Sequence, residues 1–498
     1  MNVNPITRLD YPDPDVIRVE DTYYMVSTTM HFMPGCEILQ SFDLVHWEHV
    51  TYVYETLDHT DAQQLKSGQN IYGQGMWAAS LRYHEGRFYI CFVANDTRKT
   101  YLYTSEKIDG PWKKQLIEGF YHDGSLLFDE DGRNYIVYGN DEIWITELNE
   151  DLTAPKKDGL HRLLVSDHKN PELGYEGSHI QKINGYYYIF LIHSLRDRWM
   201  RTEACFYSDS LEGEFTGGDV LCDDRGYCGQ GVAQGGIVDT PDGKGDAMLF
   251  QDSGAVGRIP ILLPVTWKDH FPFFGQNGHV PEEIEVHSTR PGYIYQPLVG
   301  SDDFCNGLLP RWQFNHDPDP RYYHLDALQG TYTITTREVC TELTQAVNTL
   351  TQRMSYPSCA AEVTVDASAL KEGDVAGLCA LQSCYAAVGI TKHHGKYEVL
   401  MLDKKEDGIL DMTEGTVVES HQMDFRLEAD FCNMKDEARC YYRVNKGDWL
   451  PIGTVHKLYF KLDHFTGCRF GLFCYAAEET GGSACFRDFK YYDVDEIS

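Results

Sequence analysis

Basic residues are scarce in this chain: 43 Lys and Arg stand against 76 Asp and Glu over 498 residues, a formal net charge of −33. A surface so acidic repels nucleic acid and anionic membranes, so neither is expected as a partner, and a neutral ligand suits it better. Long apolar runs are missing too. No stretch approaches the roughly 18 consecutive apolar residues of a membrane span. The N-terminal MNVNPITRLDYPDPD shows neither the basic nor the apolar region of a secretory signal. Cysteine is plentiful, at 15, but its spacing is not that of a framework: no CxxC and no Cys/His cluster at zinc spacing occurs. Scattered thiols in odd number read as reduced and mostly buried, and the expected location is cytoplasmic. No GxSxG, HExxH or P-loop is present. GQGVAQGG (229–236) has the wrong glycine spacing for a dinucleotide loop, and DEDGRN (129–134) lacks the bidentate Glu of a calcium loop. Whether the chain forms a homo-oligomer is left open.

What the chain does have is aromatic residues, 13% with 33 Tyr, and an internal repeat. Five segments share a polar or aromatic residue, a short apolar strand, a turn and a second aromatic-rich strand. They begin at Asp13 (DPDVIRVEDTYYMV), Trp77 (WAASLRYHEGRFYICF), Asp123 (DGSLLFDEDGRNYIVYG), Glu176 (EGSHIQKINGYYYIFL) and Gln234 (QGGIVDTPDGKGDAMLF). The turns Glu20-Asp21, Glu85-Gly86, Asp131-Gly132, Asn184-Gly185 and Asp242-Gly243 are expected to be tight hairpin turns of type I′, which need positive φ at both central residues. A recurrence of roughly 45–65 residues is a propeller-blade spacing. Each blade is too small to bury both faces alone and must stack on its neighbours. A sandwich built from the same hairpins is the competing architecture.

The repeat stops near residue 300. Alternating strands such as GTYTITTREV, CAAEVTVDA, YEVLMLD and FRDFKYYD follow, with no useful helical period. The expectation is an all-β chain: a five-bladed β-propeller over 1–295, then a jelly-roll-like β-sandwich over 300–498. With no linker-like run between them, rigid packing is expected.

In a ring, the segment heads Asp13, Trp77, Asp123, Glu176 and Gln234 are expected to take equivalent places around one axis, which brings Asp13, Asp123 and Glu176 into one pit. Taken singly, an Asp before Pro or Gly often only orders a turn. Three acids in register are harder to explain as surface charge. Glycoside hydrolysis needs one carboxylic acid to protonate the leaving oxygen and a second carboxylate to activate water or attack the sugar. The pair stands about 6.5–9.5 Å apart when water attacks. A third acid nearby raises the pKa of the first by like-charge repulsion.

YPDPDVIRV around Asp13, GMWAASL around Trp77, HDGSLLFDEDGRNYIVYG around Asp123 and YEGSHIQKINGYYYIF around Glu176 resemble the motifs of family 43 glycoside hydrolases, the β-xylosidases and α-L-arabinofuranosidases. GRIPILLPVTW (257–267), RWQFNHDPDP and HFTGCRFGLF (464–473) extend the resemblance over nearly the whole chain. It implies an inverting exo-enzyme acting on a xylo-oligosaccharide or an arabinose-containing oligosaccharide. Asp13 would be the general base, Glu176 the general acid and Asp123 the modulator of the acid's pKa. Trp77 would wall the terminal sugar, Arg258 reach it, and Phe465 of the sandwich close the pocket. An arabinan-directed α-L-arabinofuranosidase and a non-catalytic carbohydrate-binding propeller are the alternatives. No cofactor is needed for such chemistry. Where many relatives carry a His near an axial cation this chain has Gln234, which leaves a structural calcium ion, held largely through waters, as the candidate metal.

Overall fold

The computed structural model describes residues 3–413 and 415–493, which are antiparallel β-structure with four short 3-10 turns and no α-helix among the described residues. Five four-stranded sheets follow one another at 15–54, 76–117, 125–166, 176–221 and 232–274. These are the blades, I to V, of a five-bladed propeller. The second strand of each blade, as in RFYICFVA (87–94) or YYYIFLIHS (186–194), is buried along almost its whole length. That is why it reads as a near-continuous apolar run rather than an alternating one.

An apolar core fills each space between blades. Ile38 meets Leu81 and Ile90 between I and II, Cys91 and Leu102 meet Ile136 between II and III, and Val137 meets Ile180 between III and IV. Phe190 meets Leu249 between IV and V, and Met248 and Leu262 meet Met25 between V and I. The last space is sealed by the N-terminal segment. The Ile6 N–H donates to the Pro260 carbonyl (2.8 Å), and the Asn4 amide brackets both backbone groups of Leu262.

The hairpin turns divide into two kinds. Glu85-Gly86 and Asn184-Gly185 are two-residue turns with both φ positive, as a type I′ turn requires. At Asp131-Gly132 and Asp242-Gly243 only the glycine is left-handed, because the strands stop pairing earlier and the loops span 129–133 and 239–245. At Glu20-Asp21 only Glu20 is left-handed.

Residues from 313 onward form two antiparallel sheets of nine and seven strands, packed face to face as a β-sandwich over a core that includes Val363, Val388, Phe425, Phe470, Leu472 and Phe486. One of the nine strands comes from the propeller: Phe32–Met33 pairs antiparallel with Gln313–Asn315. The seam between the two units is buried and bonded. Asp10 accepts from the Arg258 N–H through Oδ1 and from the Gly467 N–H through Oδ2, both at 2.8 Å. Arg353 pairs with Glu37 at 2.8 Å and lies over the Tyr11 ring. His31 and Tyr72 of the propeller pack against His316 and His464 of the sandwich. Burial pushes all three imidazoles well down, His464 to about 3.

Candidate active site

Where the first strands converge, the equivalent residues are not the segment heads read from sequence. Asp13, Ala78, Asp123, Gly177 and Gln234 all have positive φ, at 51°, 28°, 48°, 65° and 64°. Each is followed two residues later by Asp15, Ser80, Ser125, His179 or Gly236, all at the same step of the first hairpin ladder. Trp77 and Glu176 therefore stand one residue earlier than Asp13, Asp123 and Gln234, before a bulge at 77–80 and at 176–179. The expectation of five equivalent heads is corrected to two tiers. The floor holds Asp13, Asp123 and Gln234, and the rim holds Trp77, His122 and Glu176. One step along an extended chain is about 3.3 Å and reverses the side chain's direction, which explains why the Glu176 side chain is 23% exposed and that of Asp123, taken alone, only 8%.

A third tier ties the ring together. Asp15 Oδ2 accepts from the Leu81 N–H, Ser80 Oγ from Leu126 and Ser125 Oγ from Ile180, at 2.8–3.1 Å. A side chain of blades I, II and III thus satisfies the backbone of the next blade. Arg82 at 2.8 Å and His179 at 3.3 Å hold Asp15, whose carboxyl they keep down at about 2 against the opposing effect of burial. The axial chamber lined by these tiers is about 10 Å³, room for one water. Calcium needs six to eight oxygens. With Asp15 already engaged and the Gln234 side chain against Gly177, a chamber with room for one water does not fit that ion together with the waters that would hold it.

Asp13 lies buried between Arg258 Nη1, 3.0 Å from Oδ1, and the Thr28 hydroxyl, 2.6 Å from Oδ2. Arg258 is buried as well, with Asp252 at 3.3 Å. Asp252 also holds Arg201 at 2.9 Å. The Arg258 guanidinium stands 4.2 Å from the centre of the Phe465 ring, and that ring stands 5.3 Å from Trp77. Phe465 reaches the propeller because its loop is pinned on both sides: His464 accepts from the Gly73 N–H, and Gly467 donates to Asp10. The structure thus brings Asp13, Arg258, Phe465 and Trp77 onto one side of the pit.

On the other side, Asp123 Oδ2 accepts from the Gly177 N–H at 3.0 Å, which couples it through the backbone to Glu176. Glu176 Oε2 accepts from Asn140 Nδ2 at 2.8 Å. His122 Nε2 lies 3.5 Å from both carboxylates. Burial, reinforced by Glu176 and Asp13, pushes the Asp123 carboxyl up to about 6, although His122 pulls it down. Asp123 and Glu176 in turn push the His122 imidazole up to about 9. Among the described residues this is also the one cluster of three ligand-type side chains with donor atoms within 4.8 Å. Its carboxylates are already engaged by Gly177 and Asn140, and they push the imidazole between them toward its protonated form. Gln234 sits on the floor, its N–H donating to Glu203 (2.7 Å), a carboxyl that burial pushes well above its usual range. Sequence reading missed His122, Asn140, Arg201, Glu203 and Asp252. Only His122 left a signal, as the neighbour of Asp123 in register with Trp77 and Glu176.

Residues 3–272 match the family model described as glycosyl hydrolases family 43, and 301–492 match a β-xylosidase C-terminal concanavalin A-like domain. The chain belongs to glycosyl hydrolases family 43. It is a glycoside hydrolase. Among curated relatives, a β-xylosidase of Formosa agariphila is 26% identical, covering 99% of this chain and 89% of the relative. A non-reducing end α-L-arabinofuranosidase of Bacteroides ovatus is 24% identical over 82% of this chain and 79% of its own length. The structure of a bifunctional GH43-CE protein from Bacteroides eggerthii superposes with a TM-score of 0.92 at 42% identity, over 99% of this chain. This chain spans 64% of that longer one. No helix among the described residues is long and apolar enough to cross a membrane.

Proposed function

We propose that this family 43 enzyme is an inverting exo-glycosidase releasing terminal xylose from β-1,4-xylo-oligosaccharides, with terminal α-L-arabinofuranose as a second substrate. The observation that carries the reading is the two-sided pit: Asp13 backed by Arg258 on the floor, and Glu176 at the rim above Asp123. Glu176 gives its proton to the glycosidic oxygen as the C–O bond breaks. Asp13 takes a proton from the water that attacks the anomeric carbon from the opposite face, so the configuration inverts. Asp123 acts through Glu176, by repulsion and through the Gly177 backbone. Phe465 and Trp77 form an apolar wall that suits a single terminal sugar, the arrangement expected of exo action. Fifteen unpaired thiols support a reducing compartment, in keeping with action on imported oligosaccharides.

Replacing Glu176 by Gln should cut xylobiose turnover by at least about 100-fold, the usual contribution of a general acid, and leave the fold unchanged by circular dichroism. Near-normal turnover would remove Glu176 from the acid's role. In the native enzyme, NMR of the first product should show α-xylose before mutarotation; β-xylose first would rule out inversion. The names of the relatives favour both sugars, and parallel assays on aryl xyloside and aryl arabinofuranoside rank them.

A further inference from the structure

The rim tier places an imidazole where the reaction above needs a decision about a proton. His122 Nε2 is 3.5 Å from Asp123 Oδ2 and 3.5 Å from Glu176 Oε2, and it has no closer hydrogen-bond partner. Asp123 follows it in sequence, Glu176 flanks it from blade IV, Asp13 lies across the floor, and Trp77 stands 6.2 Å away on blade II. Two cations, Arg258 and Arg201, act on Glu176 and Asp13 from the far wall and pair there with Asp13 and Asp252. His122 is thus the only basic side chain on the acid's side of the pit among the described residues.

We infer that His122 is a positioning residue which, as an imidazolium between the two carboxylates, keeps Asp123 an anion and so leaves the catalytic proton on Glu176. The physical need is plain. Of the two acids, Asp123 is the more buried, and burial disfavours the charged form. Without a counter-charge beside it, a proton shared by the pair settles on Asp123, where it cannot reach a leaving oxygen. An imidazolium 3.5 Å from each carboxylate acts more strongly on the more buried Asp123, where solvent screens it less, and so opposes that order. The inference rests on Glu176 being the acid, and its test must separate the two.

His122→Asn removes the charge and keeps a small polar side chain. The loss should depend on the leaving group. Xylobiose, whose leaving alcohol needs a proton, should lose about 100-fold in kcat/KM, whereas 2,4-dinitrophenyl β-xyloside, which does not, should lose less than about fivefold. The alkaline limb of the xylobiose kcat/KM profile should move up by about one pH unit, because carboxylates stripped of a nearby cation hold protons more tightly. Equal losses on both substrates, or an unmoved alkaline limb, would reduce His122 to a packing residue and overturn the inference. Should the variant fail to fold, the native enzyme still decides. With 15N-labelled histidine, the His122 ring should show both nitrogens protonated at about pH 7.5, well below the value near 9 to which its neighbours raise it, and a neutral ring there overturns the inference. Glu176→Gln run alongside reads the acid independently: if it retains xylobiose turnover while His122 is an imidazolium, the acid's assignment falls and the charge placement stands.

Discussion

Asp13 and Asp123 occupy the same floor position of blades I and III, with the same left-handed backbone and nearly the same burial, 6% and 7% exposed. They differ in what surrounds them. Asp13 meets a full counter-charge in Arg258 and reaches the next blade indirectly: the Thr28 hydroxyl donates to it and accepts from the Ala78 N–H. Asp123 takes the next blade's N–H directly, from Gly177, and faces another acid, with a histidine as the one basic side chain beside it among the described residues. One residue type at one backbone position thus becomes two kinds of group. Neighbours from other blades, not the local sequence, set the difference.

The contrast between the two acids is put at greatest risk at Asp13. Asp13→Asn should lower kcat by up to about 10⁴-fold, the upper range for a lost general base. It should also destabilise the protein by about 1–3 kcal/mol, because the buried Arg258 loses a charged partner. Steady-state kinetics and thermal melts check both, and a variant as stable as the parent would show that Asp252 alone compensates Arg258.

Asp123→Asn should act in the opposite sense on stability. A carboxyl whose folded pKa of about 6 lies above the usual 3.8 makes folding progressively less favourable as pH rises from about 4 to 6. Removing it should therefore stabilise the protein at pH 7, on the order of 2 kcal/mol, with the gain vanishing below about pH 4, where the group is protonated folded or unfolded. Activity should still fall, by roughly 10–100-fold on xylobiose. Melts at about pH 4 and pH 7 are the measurement, and a gain equal at both would refute burial of the Asp123 charge as its origin.

The smallest effect belongs to the wall. Phe465→Ala should raise KM by roughly 5–30-fold with little change in kcat, because the Arg258–Phe465 contact is worth only about 1–2 kcal/mol. A large fall in kcat instead would mean that Phe465 governs Arg258 and, through it, Asp13.

The carboxylates were legible in the sequence because the blade repeat is periodic and its apolar strands mark the register to within a residue. The last residue of precision was not. Ala78 and Gly177 carry the left-handed turn that Asp13 and Asp123 carry in their own blades, and neither Ala nor Gly advertises that role beside a Trp or a Glu. Aligning on the chemically prominent residue therefore slips the register by one and hides His122 behind Asp123. Asn140, Arg201, Glu203 and Asp252 come from second and third strands, whose side chains meet the pit only after the blades stack. Of the five turns, Glu85-Gly86 and Asn184-Gly185 behave as their residues dictate, while Asp131-Gly132 and Asp242-Gly243 sit in loops whose length the pairing of the flanking strands decides.

The order of residues along the chain was enough to establish that the protein is all-β, that its first part repeats five times, and that three acids recur near the repeat's head. Periodicity is a local property, and hydrophobic pattern and turn residues carry it. Folding in three dimensions was needed to settle which acid meets a guanidinium and which meets an imidazole, that the rim and the floor are separate tiers, and that Phe465 arrives from the sandwich. Electrostatic energies depend on distances of a few ångströms between groups far apart in the chain, and those distances do not exist until the ring closes.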